Sequence, residues 1–122
     1  ALHTLTKIAD KKYYSLITLE HLFDSHDKVA VTAWRAASVL VPEVEKKSLT
    51  SILLTQLGRG NSDVQFDLTR FLCALGDCII EPLKEAANSS KEDVRIHAGF
   101  TLMRYEEMKL ETAKKRTMGG EY

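Results

Sequence analysis

Three stretches decide the fold: Lys28-Val29-Ala30-Val31-Thr32-Ala33, Asp63-Val64-Gln65-Phe66-Asp67-Leu68 and Asp93-Val94-Arg95-Ile96-His97-Ala98. They align without gaps, and their valines are 35 and 30 residues apart, the length of one helix–turn–helix unit. Each valine opens an apolar series at i, i+4, i+7, i+8 and i+11. The series are Val29, Ala33, Ala36, Ala37, Leu40; then Val64, Leu68, Phe71, Leu72, Leu75; then Val94, Ala98, Thr101, Leu102, Tyr105. That spacing puts the side chains on one stripe of a helix. Only Thr101 breaks the pattern.

Each of these helices has a partner before it. Tyr13, Leu16, Ile17, Leu19, Leu22 and Phe23 mark the first, over about 13–23. Val44, Leu49, Ile52, Leu53 and Leu57 mark the second, and Ile79, Ile80, Leu83 and Ala87 the third. Pro42 and Pro82 sit near the starts of the later two, where a missing N–H costs nothing. The turns between partners are short and polar: Asp24-Ser25-His26-Asp27, Gly58-Arg59-Gly60-Asn61-Ser62 and Asn88-Ser89-Ser90-Lys91. Asp27, Ser62 and Ser90 are the expected N-caps, and Gly58 and Gly76 the expected helix stops. The sequence thus predicts an all-α chain with one domain over 1–116. Its repeats lie at about 13–40, 43–76 and 78–106, after a short N-terminal helix over 2–9. A flexible tail is expected over 117–122.

These residues resemble the HEAT-repeat family of α-solenoids. The family's second helix typically begins Val-Arg, with a small residue three positions after the Arg, as in Val94-Arg95-Ile96-His97-Ala98. Val29 and Ala33 match its apolar part, and Asp24 lies five positions before Val29, where the family usually has Asp. Glu81-Pro82-Leu83 resembles the Pro-Leu common near the first helix. The resemblance covers about residues 13–106, and armadillo-like repeats resemble the same pattern. It implies a right-handed α-solenoid of about three antiparallel helix pairs. No repeat keeps both the Asp and the Arg of the family's hydrogen-bonded ladder, so that ladder is not expected.

Composition narrows the function. The 17 basic and 17 acidic residues give a formal charge of +0, which speaks against a domain built for nucleic acid. No run of 18 apolar residues spans a bilayer. Cys73 and Cys78 are the only cysteines; five apart inside apolar helices, they read as buried, reduced thiols in a reducing, cytoplasmic setting, nuclear not excluded. Ala1-Leu2-His3 carries neither an initiator Met nor a signal pattern, which is expected of a piece of a longer chain. Leu2, Leu5 and Ile8 make an apolar edge ahead of Tyr13 and Tyr14, so weak self-association is expected through the N-terminal end.

Local motifs carry little chemistry. His21, Asp24, His26 and Asp27 could supply two of the three or four ligands a zinc site needs, yet the same residues serve as turn and cap, and no metal or cofactor is expected. Ser15, Ser38 and Ser48 have no catalytic signature, and Gly58-Arg59-Gly60 is too short for a phosphate loop. Tyr105-Glu106-Glu107-Met108 spells a phosphotyrosine-type motif, but Tyr105 occupies a core position. Lys114-Lys115-Arg116 reads as a solvated helix end.

The helix surfaces say more. With each valine at zero and about 100° per residue, the core stripe lies within about 80° of zero. A second apolar side falls at about 140–200°: Val31 with Trp34, Phe66 with Cys73, Ile96 with Met103. It is expected to be buried by stacking between neighbours. Polar residues gather at about 240–300°: Lys28, Thr32 and Arg35; Asp63, Asp67 and Arg70; Asp93, His97 and Arg104, with Phe100 among them. A mixed-charge strip with an exposed aromatic fits a protein-binding surface. The expected function is therefore a protein–protein interaction module of a scaffold or adaptor, without enzyme activity. Its partner would lie on Arg35, Asp67, Arg70, His97, Phe100 and Arg104. The alternative is a nucleic-acid-binding helical repeat using Arg35, Arg70, Arg95, Arg104 and the 114–116 cluster. A helical enzyme subunit is the third class, against which the missing catalytic constellation speaks.

Overall fold

The computed structural model describes residues 11–119, and these are helical with no strand. After a 3₁₀ segment, Lys11–Leu16, come α1 (Leu19–Leu22), α2 (Asp27–Leu40) and a 3₁₀ turn at Glu43–Glu45. Then follow α3 (Lys46–Leu54), α4 (Ser62–Ala74), a second turn at Asp77–Ile79, α5 (Ile80–Ala86) and α6 (Glu92–Gly119). The three pairs expected from the repeats are present: α1 against α2, α3 against α4, and α5 against α6. The second members also meet each other, α2 on α4 and α4 on α6, and α3 meets α5.

Local chemistry explains the boundaries. The first partner helix, expected as one piece over 13–23, is split in two. Thr18 interrupts it with a capping box, in which its side chain accepts from the His21 N–H and its own N–H donates to His21 Nδ1. The cap of α4 is Asn61 rather than Ser62; its side chain accepts from the Val64 N–H at 3.1 Å. The cap of α2 is His26 rather than Asp27, which takes the first helical position. There its carboxylate lies beside the positive end of the helix dipole. Pro82 sits inside the first turn of α5. Gly76 follows the cap of α4 at φ 92°, whereas α3 already ends at Leu54 with Thr55 as its cap, and Gly58, expected as the stop, lies in the turn beyond it at φ 82°, a region that costs a side chain about 1–2 kcal/mol. Helix α6 runs on to Gly119, past the repeat boundary expected near residue 106, and its residues 106–115 are all exposed. Leu2, Leu5 and Ile8 lie outside the described residues.

The core follows the predicted stripes. Ala33, Ala36, Ala37, Leu40, Leu68, Leu72 and Ala98 are all at most 1% exposed. The four alanines of α2 at 30, 33, 36 and 37 are fully buried, and their small side chains let neighbouring helices approach closely. Trp34 fills the space between α1 and α2, and its indole N–H donates to the Leu22 carbonyl at 2.9 Å. Val29 departs from its stripe and is 40% exposed. It opens the helix of the first pair, and its counterparts Val64 and Val94 each have an earlier repeat to pack against.

The second apolar side is buried only in part. Trp34 and Cys73 are buried, whereas Phe66, Ile96 and Met103 are 42%, 60% and 51% exposed. For α6 the reason is its place: among the described residues no helix follows it, so the side that α4 turns toward α6 has no counterpart cover.

Candidate functional site

Helices α2, α4 and α6 lie side by side in parallel register. Arg35 of α2 reaches Phe71 of α4. In the other direction Gln65 and Thr69 of α4 meet His97 of α6, Thr69 meets Thr101, and Phe66 meets Phe100. Residue numbers rise together from α4 to α6, and for α2 and α4 the early residues Lys28 and Asp63 line one groove while Arg35 meets Phe71 further along both, which only parallel helices allow. One surface is thereby built from equivalent positions of three helices.

On that surface the Phe66 and Phe100 rings contact each other, with centroids 6.4 Å apart and planes tilted by 48°. Both rings are open to solvent, as are Ile96 and Met103 beside them. Arg70 lies one turn beyond Phe66, and Arg104 one turn beyond Phe100. Arg70 pairs with Asp67 at 3.3 Å, and Arg104 with Glu107 at 3.4 Å. Arg35 has no carboxylate in ion-pair range among the described residues. Its guanidinium and that of Arg70 cover one buried ring, Phe71, at 5.9 and 5.6 Å from the centroid. Toward the N-terminal ends of α2 and α4 the surface sinks into a groove of 490 Å³. Asp27, Lys28, Val31, Thr32, Asn61, Asp63, Val64 and Asp67 line it. The strip thus grades from carboxylates at one end to guanidiniums at the other.

Five of the six expected site residues lie on this surface: Arg35, Asp67, Arg70, Phe100 and Arg104. His97 does not. Expected on the exposed strip, it is buried, 3% exposed, because its side of α6 faces α4. Its Nδ1 accepts from the Gly58 N–H at 2.9 Å, so the ring proton sits on Nε2, which donates to the Gln65 carbonyl at 2.8 Å. Thr101, the break in the third apolar stripe, gives its hydroxyl proton to the His97 carbonyl at 2.9 Å. Thr69 then donates to Thr101 at 2.8 Å and sits 3.1 Å from Nε2. The polar residue in an apolar series was the one visible sign of this network. Burial holds the His97 pKa below its ordinary value.

The turn before α4 ties all three pairs together, a role the sequence did not reveal. While Gly58 holds His97 of the third pair, Arg59 reaches back to the first. Its Nε donates to Asp27 at 3.1 Å, it also donates to the Asp24 carbonyl, and its guanidinium lies 5.7 Å from the Trp34 ring centroid. Gln65 closes the turn by donating to the Gly58 and Gly60 carbonyls. An inter-repeat link therefore exists, although the Asp–Arg ladder does not supply it. Arg95, at the ladder's Arg position, braces its own turn at the Ser89 carbonyl.

The Cys73 thiol is pushed up to about 11 by burial and is not a thiolate at neutral pH. Cys78 touches the Thr50 hydroxyl at 3.5 Å, and both cysteines are unpaired thiols. Tyr105 is buried and donates to Asp77 at 2.5 Å, with Lys109 on the same carboxylate at 3.0 Å. Around His21 and His26 the ring nitrogens meet Thr18 and Asp24. No group of three His, Cys, Asp or Glu side chains converges as a metal site among the described residues. No helix among them is long and apolar enough to cross a membrane. Compared with protein-family models, with curated proteins and with solved structures, the chain gives no match.

Proposed function

We propose that this chain is a protein-interaction module, a HEAT-like right-handed α-solenoid of three helix pairs. In this reading it is part of a scaffold or adaptor, has no catalytic role and acts in the cytoplasm. It binds a partner on the face made by α2, α4 and α6. One observation carries the reading: Phe66 and Phe100 meet in the open as a tilted ring pair, from two different repeats, beside Arg70 and Arg104. Contiguous exposed aromatics rimmed by charged groups are a feature of binding surfaces, and aromatic and arginine side chains dominate their energetics. The parallel register of α2, α4 and α6 supports the solenoid reading, because it repeats one geometry from pair to pair.

The nucleic-acid alternative draws on the same arginines. Arg70 and Arg104 each carry a carboxylate from their own helix, and Arg95 is turned to a carbonyl. A phosphate backbone needs a surplus of free cations, so protein binding is favoured. The test is affinity capture with the wild type and with a Phe66→Ser/Phe100→Ser double variant, checked for helix content by circular dichroism. Partners lost by a folded variant support the face. An unchanged set of partners refutes it.

A further inference from the structure

The arginine row says what kind of partner this face takes. Arg35 and Arg70 occupy the C-terminal halves of α2 and α4, and Arg104 lies just before the middle of the longer α6. Arg35 and Arg70 share the Phe71 ring, so two like charges are held near each other over one apolar support. Among the described residues Asp67 alone answers that pair, and it is engaged by Arg70 on its own helix. Arg104 lies near α4 as well, where its charge is felt by the Cys73 thiol. The row therefore has one guanidinium more than its two carboxylates, Asp67 and Glu107. Arg35, with no carboxylate partner among the described residues, is exposed and lies over the Phe71 ring.

Beside the row lies the Phe66–Phe100 pair. An anchor side chain placed there would be covered on its flanks by Ile96 and Met103. Neighbouring helices stand about 8–10 Å apart, and an extended chain advances about 3.3 Å per residue. A segment crossing the face from α2 to α6 therefore meets a new helix about every three residues. The groove at the N-terminal ends of α2 and α4 carries Asp63 beside Lys28, with Asp27 already paired to Arg59, so the uncompensated positive charge of Arg35 favours the arginine half for an acidic chain.

We propose that the face takes an acidic peptide segment of a partner protein. An aromatic or large aliphatic residue of that segment sits on Phe66 and Phe100. Carboxylates about three positions to either side meet Arg35 with Arg70 on one flank and Arg104 on the other. This rests on the interaction reading above and adds the partner's chemistry and direction of travel. Charge pairs of this kind act on encounter rate and selectivity as much as on affinity, so binding weakens as salt rises.

The probe is a fluorescein-labelled peptide with one central phenylalanine and a glutamate three residues to each side, in a Gly/Ser background, read by fluorescence anisotropy. The comparisons are the same peptide with lysines for glutamates, the peptide with serine for phenylalanine, and labelled oligo-dT. The acidic, anchored peptide is expected to bind most tightly. Arg35→Gln, which keeps a stem over Phe71 but removes the charge, should weaken it about tenfold. Lys84→Gln, on α5 away from the face, should change nothing. Equal binding of the lysine peptide, or no effect of Arg35→Gln, overturns the inference. Tighter binding of oligo-dT also overturns it, in favour of a phosphate ligand. If no peptide binds while Phe66→Ser/Phe100→Ser still abolishes capture of cellular partners, the acidic-partner inference fails and the interaction reading stands.

Discussion

Acidification should weaken this protein in a window set by His97. Both ring nitrogens are committed to the backbone: Nδ1 accepts from the Gly58 N–H and Nε2 donates to the Gln65 carbonyl. A second ring proton would face the Gly58 N–H donor to donor, so the imidazolium must break that bond or leave. Burial adds the cost of removing the charge from water. The folded-state pKa thus lies below the ordinary imidazole value of about 6.5. Between those two values the unfolded chain binds the extra proton, and stability falls as pH drops below about 6.5. The slope is at most about 1.4 kcal/mol per pH unit, which caps the loss between pH of about 7 and 5.5 at about 1 kcal/mol. The loss stops growing once pH passes below the folded pKa. Asp24 and Asp77 are held below the ordinary carboxylate range by bonds from the His26 N–H and the Tyr105 hydroxyl. Stability linked to them is lost only at more acidic pH. Urea unfolding across this range, on wild type and on His97→Asn, isolates the effect. The variant keeps an acceptor for Gly58 without a titrating ring, and every other histidine is common to both. It should be less stable at neutral pH and flat below it. Parallel curves for the two proteins would refute the assignment.

Three further outcomes follow from particular contacts. Leu72 is fully buried in α4 between the first and third pairs, and Leu72→Ala should cost about 2–5 kcal/mol in urea unfolding; a cost near zero would misplace the core. At Gly60, φ is 76° and an added Cβ would stand 2.8 Å from the Val64 Cβ, so Gly60→Ala should cost about 1–3 kcal/mol, with a stable variant refuting the turn geometry. Leu16 and Leu19 are 55% and 54% exposed near the start of the fold; Leu16→Glu/Leu19→Glu should abolish weak self-association in sedimentation equilibrium, and a strictly monomeric wild type would end that idea.

How much was legible depended on whether a residue's fate was set within its own helix. The stripes from Val64 and the alanines of α2 came from 3.6-residue periodicity alone, since any helix with that pattern must bury that side. Gly76 was readable as a stop, and Gly58 as a turn residue, because a left-handed backbone favours glycine wherever it occurs. Trp34 and Cys73 were likewise expected to be buried. Residues at the same angles in other repeats met opposite fates. Cys73 is covered while Met103, its counterpart in α6, is open, because helix periodicity gives a direction and not the neighbour that lies there. His97 occupies the angle of Thr32 and Asp67, yet it alone is buried, since in α6 that angle points at α4. Arg59 looked like a turn residue, and only the approach of the first pair turned it into a bridge to Asp24 and Asp27. The sequence by itself determined the helices, their order and the apolar side of each. The tertiary structure decided which of the remaining sides met a partner helix and which met water, because that depends on distances between segments about 30 residues apart, which no local pattern encodes.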